Sequence, residues 1–415
     1  MATITEMLPE GNVKPPVMPD DYVKPSAMLE RARALVPVIR ASQEKTESDR
    51  RVPSDLFEQI LDAGLFRMLM PRRFGGYEHG MDVFAEAAYE IARGCGSVGW
   101  VHSICSMYQY LLAMFPLEAQ EEIWADDQYG CTSASFIPTG TAIKGDQDYT
   151  VSGTWAYCSG VDNCSWLLVA VNVVNHGDEN PVERGYIVAP KSEFNIKDDW
   201  YAAGLAGTGS KTVFCENLRI PSHRYLSLED TMSGNPPGAK ANPAPLYTIP
   251  TFQALSISVA APIIGISRGA YDCFMSDTSA RVTRGSALAN SGPMAQLPSI
   301  HTRIGKAAAS IDAAKLLVLR DAKELMQTYI AGDSQSEEIR ARNKGDLGFA
   351  AHLAVSGLDT IFEANGAGGL QLSSNMQRYW RDAHAGSMHI SVNQDAVLGL
   401  YGRVHLGLPA GPAQF

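Results

Sequence analysis

One segment of this chain, residues 129–229, differs in its sequence pattern from everything before and after it. It contains about seven short runs rich in β-branched and aromatic residues, separated by Gly, Pro, Asn and Asp. Apolar residues recur at helical spacing before this segment and again after it. Because helices and strands are segregated along the chain, we predict an α+β fold with three parts. These are an N-terminal helical domain (27–128), a small β-barrel or sandwich (129–229) and a C-terminal four-helix bundle (247–415).

Two further segments are rich in residues that disfavour regular structure. Residues 1–26 have five prolines in their first 25 positions and no apolar core of a signal peptide, which predicts an extended arm. Residues 230–246 are dense in Gly, Pro and Asn, and are predicted to form a linker loop.

Charge and cysteine content limit the partners and the compartment. The 415-residue chain has a formal net charge of −11, which argues against nucleic acid or an anionic membrane as its main partner. Its seven cysteines are odd in number and form no Cys-x-x-Cys pair, so we expect buried, reduced thiols in a cytoplasmic protein. No group of His, Cys and Asp has the spacing of a metal site, and we predict no metal. The apolar run 98–115 is interrupted by polar residues and predicts a buried helix rather than a membrane span.

Three glycine-containing motifs resemble known ligand-binding loops, but each lacks a required residue. In Gly-Leu-Ala-Gly-Thr-Gly-Ser-Lys at 204–211 the lysine does not directly follow the last glycine, which predicts a glycine-rich loop and not a phosphate loop. The turn at 366–369 lacks the third spaced glycine and the preceding strand of a nicotinamide-binding unit. Residues 95–99 lack the first glycine of a nucleophile elbow.

The segment Arg-Asp-Ala-His-Ala-Gly-Ser-Met-His at 381–389 concentrates groups that titrate near neutral pH beside small residues that admit a ligand. Its two histidines, His384 and His389, are five residues apart and do not share a helical face. This spacing disfavours a metal pair. The function of the chain therefore depends on what each histidine does by itself.

The order of helices, strands and helices resembles the acyl-CoA dehydrogenase superfamily over nearly the whole chain. The motifs that carry this resemblance are Asn-Leu-Arg-Ile-Pro at 217–221, Arg-Val-Thr-Arg-Gly at 281–285 and Arg-Asp-Ala at 381–383. Asp-Trp-Tyr-Ala at 199–202 and Arg-Asp-Ala-His, with its second histidine five residues on, are more similar to one branch of that superfamily. This branch contains two-component monooxygenases, among them the oxygenase component of p-hydroxyphenylacetate hydroxylase and the steroid-phenol, indole and dibenzothiophene monooxygenases.

The resemblance implies a flavin site formed by the β domain and the helical bundle. Ser159 lies in Tyr-Cys-Ser-Gly at 157–160 and is implied as the partner of flavin N5. Arg281 matches the arginine that holds the cofactor phosphate, a role suited to a bidentate donor. The implied cofactor-binding residues are Ser135, Tyr157, Ser159, Arg281, Gly368 and Gly369.

The type of reaction depends on the residues around His389. Dehydrogenases of the superfamily remove the α-proton of an acyl thioester with a carboxylate, which one branch carries a few residues after Arg-Asp-Ala. Here Ile-Ser-Val at 390–392 takes that place and cannot act as the base, although Glu363 offers a relocated carboxylate. In the phenol hydroxylases the second histidine contacts the substrate hydroxyl. The resemblance thus implies that His389 is catalytic and accepts or polarises the phenolic proton, whereas His384 is interpreted as structural. The alternative interpretation of His389 is a residue that caps a helix or fills a polar site in the core.

Four more side chains are candidates for the wall of a substrate pocket: His102, Tyr108, Trp200 and Tyr201. The phenol hydroxylase carries a further histidine on the helix before Ala-Met-Phe. Tyr108 occupies that position here, and His102 lies almost two turns earlier. This departure argues against p-hydroxyphenylacetate itself as the substrate. Simple core packing is the alternative interpretation of these aromatic side chains.

The resemblance implies the oxygenase component of a two-component flavin-dependent monooxygenase. A separate reductase would supply reduced FMN or FAD. This would react with O2 to a C4a-hydroperoxyflavin that hydroxylates a small phenolic or heteroaromatic molecule. Ser159 would hydrogen-bond the peroxide or N5 side. Subunits of this fold commonly pair through the bundle, which implies a homotetramer. Two alternatives stay open: an FAD-dependent acyl-CoA dehydrogenase with a relocated base, and a non-catalytic scaffold with the same fold.

Overall fold

The computed structural model describes residues 21–125, 129–178, 180–283 and 291–410. The predicted extended arm, residues 1–26, falls mostly outside these ranges, and the first described helix begins near its end, at Pro25. The last two residues of the Arg-Val-Thr-Arg-Gly motif, at 284 and 285, also lie outside the described residues.

Helices form the first described part of the chain. One of them, Gly96–Leu112, is buried along its whole length, as its apolar sequence predicts. The short helix Ser54–Asp62 is more typical of a surface helix, because only its apolar face (Leu56, Phe57 and Ile60) is buried. The helices are α1 (Pro25–Ala41), α2 (Gln43–Ser48), α3 (Ser54–Asp62), α4 (Met81–Gly94), α5 (Gly96–Leu112) and α6 (Leu117–Ala125).

The central part is a mixed sheet. Its strands are β1 (Thr132–Lys144), β2 (Asp148–Cys158), β3 (Trp166–Asn175), β4 (Glu183–Pro190), β5 (Asn195–Lys197), β6 (Lys211–Pro221) and β7 (Tyr225–Ser227). Their order in the described sheet is β5-β6-β2-β1-β3-β4-β7. The pair β1–β3 is parallel and the other neighbours are antiparallel. The tight turn between β1 and β2 contains Gly145 and Asp146, where the alternating pattern predicts a hairpin.

Helices return after the sheet. They are α7 (Leu228–Met232), α8 (Thr251–Ala254), α9 (Ile257–Ala280), α10 (Pro298–Ile330), α11 (Glu337–Asn365), α12 (Asn375–Ser387) and α13 (Gln394–His405). A short ribbon of β8 (Val282–Thr283) and β9 (Gly292–Pro293) follows α9. The predicted linker, 230–246, contains the end of α7 and a 3-10 turn. The predicted fold class, with helical regions on both sides of a small β region, is confirmed.

Helix α9 lies at the centre of the helical part because its small residues allow other helices to approach closely. A Cβ atom on Gly265 would lie 2.2 Å from the Tyr89 carbonyl oxygen in α4, and one on Gly269 would lie 2.6 Å from the Tyr379 ring in α12. The small residues thus serve contacts within one chain. The segment Thr251–Ala280 has the length and apolar composition of a membrane span, and 83% of its apolar window is buried inside the protein.

Candidate active site

Helix α5 contacts both segments that carry the candidate catalytic residues, Ser159 and His389. On one side of the helix, the Trp100 ring lies 5.9 Å from the His389 ring in an edge-on arrangement. On another side, Gly160 packs so closely that an added Cβ would lie 3.3 Å from the Cys105 sulfur. Ser159 precedes Gly160, so the hydroxyl from the β region and the histidine from the bundle lie near the same two turns of α5.

The end of β2 presents an open aromatic surface beside a buried hydroxyl. Tyr157 has a left-handed backbone (φ 65°) and its side chain is 61% exposed, whereas Ser159 is buried. The Trp200 ring stands edge-on to the Tyr157 ring at 6.2 Å. Ser135 lies on the adjacent strand β1 and donates a hydrogen bond to the Ala156 carbonyl at 2.9 Å. An exposed apolar face next to a hydroxyl fits a flat, partly polar ring system such as a flavin.

The Ser159 hydroxyl is part of a hydrogen-bonded chain that the sequence did not indicate. It lies 2.6 Å from the Ser210 hydroxyl, and the Ser210 hydroxyl lies 2.6 Å from that of Thr208. Thr208 donates to the Leu205 carbonyl at 2.8 Å. The Gly160 amide also donates to the Thr208 carbonyl at 2.8 Å. The segment 204–211 is therefore a glycine-rich loop, as predicted, and it is fixed against Ser159.

The Arg-Asp-Ala motif of α12 holds this loop in place. Asp382 accepts a hydrogen bond from the Leu205 amide at 2.6 Å, and burial raises the pKa of its carboxyl to about 7. Gly204 lies so close to α12 that an added Cβ would be 2.2 Å from the Arg381 carbonyl oxygen. The indole of Trp200 donates to the Leu205 carbonyl at 3.1 Å. One buried carboxyl thus connects the bundle to the loop that carries Thr208.

His389 begins a 3-10 turn, Ile390–Val392, and this turn fixes its tautomer. The Nδ1 atom accepts a hydrogen bond from the Ser391 amide at 3.2 Å, so the ring proton is on Nε2. His389 is solvent-exposed, although its ring packs against Trp100. Desolvation by neighbouring atoms, with the charge of Lys344 as a second cause, lowers its pKa to about 4. His389 is therefore neutral at pH 7 and has an N–H that can donate.

Lys344 of α11 is a half-buried cation that was not among the predicted site residues. Its ammonium donates to the Ser256 hydroxyl at 2.6 Å, and burial lowers its pKa to about 8. No carboxylate of the described residues compensates this charge. A signal was present in the sequence, because Lys344 lies three residues before Leu347 on the predicted apolar face of its helix.

Two of the predicted pocket residues lie on different sides of α5. The His102 ring packs against Phe66 at 5.5 Å in the helical core, and burial lowers its pKa to about 4. His102 is two residues from Trp100 and so points to another side of the helix. The Tyr108 ring is buried against Phe136 of β1 at 5.6 Å. Tyr108 therefore packs against strand β1, whereas His102 is not brought to His389.

Trp200 and Tyr201 are adjacent in the sequence but make different contacts in the structure. Trp200 contacts Tyr157 and Leu205, as given above, and so lies at the exposed aromatic surface at the end of β2. The Tyr201 side chain is 75% exposed and lies under the guanidinium of Arg50 at 4.1 Å. Among the four candidates for the pocket wall, Trp200 thus lies beside the open aromatic surface, and Tyr108 is buried against β1.

The predicted phosphate-binding residues form a cluster of their own at the end of α9. The Arg281 guanidinium donates to the backbone and side-chain oxygens of Asn365, each at 2.8 Å, and lies beside Gly368, with Gly369 next in the chain. Helix α9 crosses α12 at Gly269, near the glycine-rich loop. Arg281 lies twelve residues further, roughly 18 Å along the helix. One chain therefore does not bring Arg281 to Ser159.

The remaining acid–base candidates have structural partners. His384 Nε2 lies 2.9 Å from a carboxylate oxygen of Asp359, and its ring packs on Trp380, which agrees with a structural role. Glu363 forms an ion pair with Arg303 at 2.8 Å. It lies nineteen residues beyond Lys344 on α11, roughly 28 Å along the helix. The relocated carboxylate of the dehydrogenase alternative is thus far from His389.

Comparison with known proteins shows which family this chain belongs to. The model of the acyl-CoA dehydrogenase N-terminal domain matches residues 26–128, and that of the acyl-CoA dehydrogenase C-terminal domain matches residues 257–394. The flavin-dependent monooxygenase oxygenase subunit HsaA of Rhodococcus jostii (strain RHA1) is 35% identical, over 92% of this chain and 98% of its own. The FADH(2)-dependent resorcinol hydroxylase oxygenase component of Rhizobium sp. (strain MTP-10005) is 34% identical over 92% and 94%.

A solved structure agrees with these relatives. The crystal structure of the HsaA monooxygenase from M. tuberculosis has a TM-score of 0.87 and 34% identity, and covers 94% of this chain and 99% of its own. The chain belongs to the acyl-CoA dehydrogenase superfamily, on its branch of flavin-dependent monooxygenases.

Proposed function

We propose that this protein is the oxygenase component of a two-component monooxygenase. It takes reduced FMN or FAD from a separate reductase and uses O2 to hydroxylate a small phenolic or heteroaromatic molecule. The observation that carries this proposal is His389, a neutral histidine with an N–H beside Trp100, directly before the segment 390–392 where a dehydrogenase would need a carboxylate. The names of the relatives support the same class of reaction.

Ser135, Tyr157 and Ser159 would hold the flavin ring at the end of β2. Their exposed aromatic face and buried hydroxyl fit its flat surface and its polar edge. Reduced flavin held by these residues would supply the oxidising chemistry with O2. Trp200 flanks this face and would exclude water from it, while Tyr108 packs against β1 from the helical side. The protein's task is thus to bind and orient two ring systems and keep them dry.

His389 would bind the substrate hydroxyl through its Nε2–H. Because Nδ1 is occupied by the Ser391 amide, the ring donates to the substrate oxygen and does not take its proton. A donor stabilises the negative charge that develops on a phenolic oxygen as its proton leaves to solvent. Lys344 adds a positive charge close enough to affect His389. Both groups favour an electron-rich ring, which attacks an electrophilic oxygen more readily.

The separation of Arg281 from Ser159 supports a shared cofactor site in a homotetramer. Arg281, Gly368 and Gly369 of one subunit would contact the cofactor phosphate of a flavin held mainly by Ser159 of another. The cysteines are free thiols, and six of the seven are buried, which fits a cytoplasmic protein.

Isotope labelling tests the proposal. The purified protein, a generic flavin reductase and 18O2 are incubated with panels of phenols, indoles and thiophenes. We expect one 18O atom in the product, and no product when the reductase is omitted. His389→Ala should abolish the product, whereas His405→Ala, at an exposed histidine on α13, should not. A tightly bound FAD that is bleached by an acyl-CoA, with no labelled product, would instead support the dehydrogenase.

A further inference from the structure

The hydrogen bonds of the glycine-rich loop determine which way the Ser159 proton points. Each hydroxyl group has one hydrogen to donate, although it can accept more than one. Thr208 donates its hydrogen to the Leu205 carbonyl, which can only accept. In the 2.6 Å contact with Ser210, Thr208 must therefore accept, and Ser210 must donate.

The same reasoning applies to the next contact. Because the Ser210 hydrogen is used toward Thr208, the 2.6 Å contact between Ser210 and Ser159 requires Ser159 to donate. The Ser159 oxygen is then left with lone pairs alone. A ligand atom that meets this oxygen must bring its own hydrogen.

We propose that Thr208 and Ser210 are positioning residues that make Ser159 an acceptor and so select reduced flavin over oxidised flavin. Reduced flavin carries a hydrogen on N5 and can donate it to Ser159, whereas N5 of oxidised flavin has a lone pair and no hydrogen. This inference rests on the proposed function, since it requires flavin N5 to lie against Ser159. It assigns Thr208 and Ser210 as positioning residues for that function and gives a structural reason for a preference for reduced flavin.

The surroundings hold the chain in this direction. The three hydroxyl-bearing residues are buried, with exposed fractions of 1% for Thr208, 6% for Ser210 and 7% for Ser159. The Leu205 carbonyl is held in place by two further donors, the Trp200 indole and the Thr208 amide, each at 3.1 Å. To donate to oxidised flavin, Ser159 would have to reverse all three hydroxyls and remove the Thr208 hydrogen from its carbonyl. Loss of one such bond corresponds to about a five- to tenfold weaker affinity.

Flavin affinity measured in both redox states tests the proposal. Dissociation constants of photoreduced FMN under anaerobic conditions and of oxidised FMN are determined by calorimetry for the wild type, Thr208→Val, Ser210→Ala and Thr208→Ser. We expect the ratio of the oxidised to the reduced constant to fall about five- to tenfold in Thr208→Val and Ser210→Ala. Thr208→Ser keeps the donor and should keep the ratio. Ser267→Ala, which removes a buried hydroxyl bonded within α9, is the matched control and should also keep it.

The outcomes separate the inference from the proposed function. An unchanged ratio in Thr208→Val and Ser210→Ala, both with wild-type thermal unfolding, overturns the inference. Equal affinity of the wild type for both redox states also overturns it, while labelled product in the 18O2 experiment still supports the monooxygenase. A wild type that binds neither form of FMN or FAD contradicts both.

Discussion

Replacing Lys344 by methionine should stabilise the protein and weaken its reaction. The Lys344 ammonium is half-buried and has the neutral Ser256 hydroxyl as its hydrogen-bond partner. Its pKa falls from 10.5 to about 8 on folding, so the folded state holds this proton less tightly than the unfolded chain. The cost of the buried charge is fully present below about pH 8 and disappears as the pH rises toward 10.5.

The pKa shift sets the size of the effect. A lowering from 10.5 to about 8 corresponds to roughly 3 kcal/mol, and solvent screening of the half-buried side chain reduces this to about 1–2 kcal/mol. Methionine has a similar length and leaves little cavity. We expect the apparent Tm of Lys344→Met to rise by about 1–2 °C at pH 7 and by less at pH 10. Lys306→Met, at an exposed position of α10, serves as the control and should shift the Tm little.

The functional half of this prediction concerns His389. Without the Lys344 charge the pKa of His389 should rise above about 4, and hydroxylation should slow because the substrate oxygen loses a nearby cation. Fluorescence-detected unfolding at both pH values and product formation with a reductase measure the two effects. A Tm that falls equally at pH 7 and pH 10 would refute the reasoning, since Lys344 would then stabilise the fold by packing rather than cost it a charge.

Three further predictions concern the loop and the histidine. His389 should stay neutral down to about pH 5, so NMR of its ring should show titration near pH 4. The pH profile of product formation should therefore show no change near pH 6.5 that is due to His389. Gly204→Ala should lower the free energy of unfolding by about 1–3 kcal/mol in urea titrations and weaken flavin binding, because the new methyl group meets the Arg381 carbonyl. Asp382 has a raised pKa of about 7, so its stabilising contribution is full below pH 3.8 and is lost as the pH rises through 7. The Tm of Asp382→Asn should therefore exceed that of the wild type at pH 8.5 and approach it at pH 5.

The sequence predicted the architecture because helical and strand periodicities are local properties. The fully buried helix α5 and the order of helices and strands follow directly from the apolar pattern. The hydroxyl chain did not follow, because Thr208 and Ser210 are about fifty residues from Ser159 and meet it only after the sheet has formed. The loop resembles a phosphate site through its glycines, whereas its hydroxyl groups form the hydrogen-bonded chain to Ser159.

The sequence names candidate site residues but does not give their orientation. His102 and Tyr108 lie on one helix, and only the structure shows that Tyr108 packs against strand β1 while His102 packs in the helical core. Likewise, the sequence predicts His389 as a site residue but not the position of its proton. The proton is on Nε2 because the Ser391 amide donates to Nδ1, and this contact depends on the backbone of the turn. The direction of a hydrogen bond depends on three-dimensional geometry, which the spacing of residues in the sequence does not predict.

Rapid mixing tests the central claim most directly. The protein, saturated with anaerobic reduced flavin, is mixed with O2 in a stopped-flow spectrometer with and without an aromatic substrate found in the labelling screen. We predict an absorbance phase of a C4a-hydroperoxyflavin before oxidised flavin appears, and hydroxylated product in proportion to it. Direct conversion of reduced to oxidised flavin, with hydrogen peroxide and no hydroxylated product, would contradict the account.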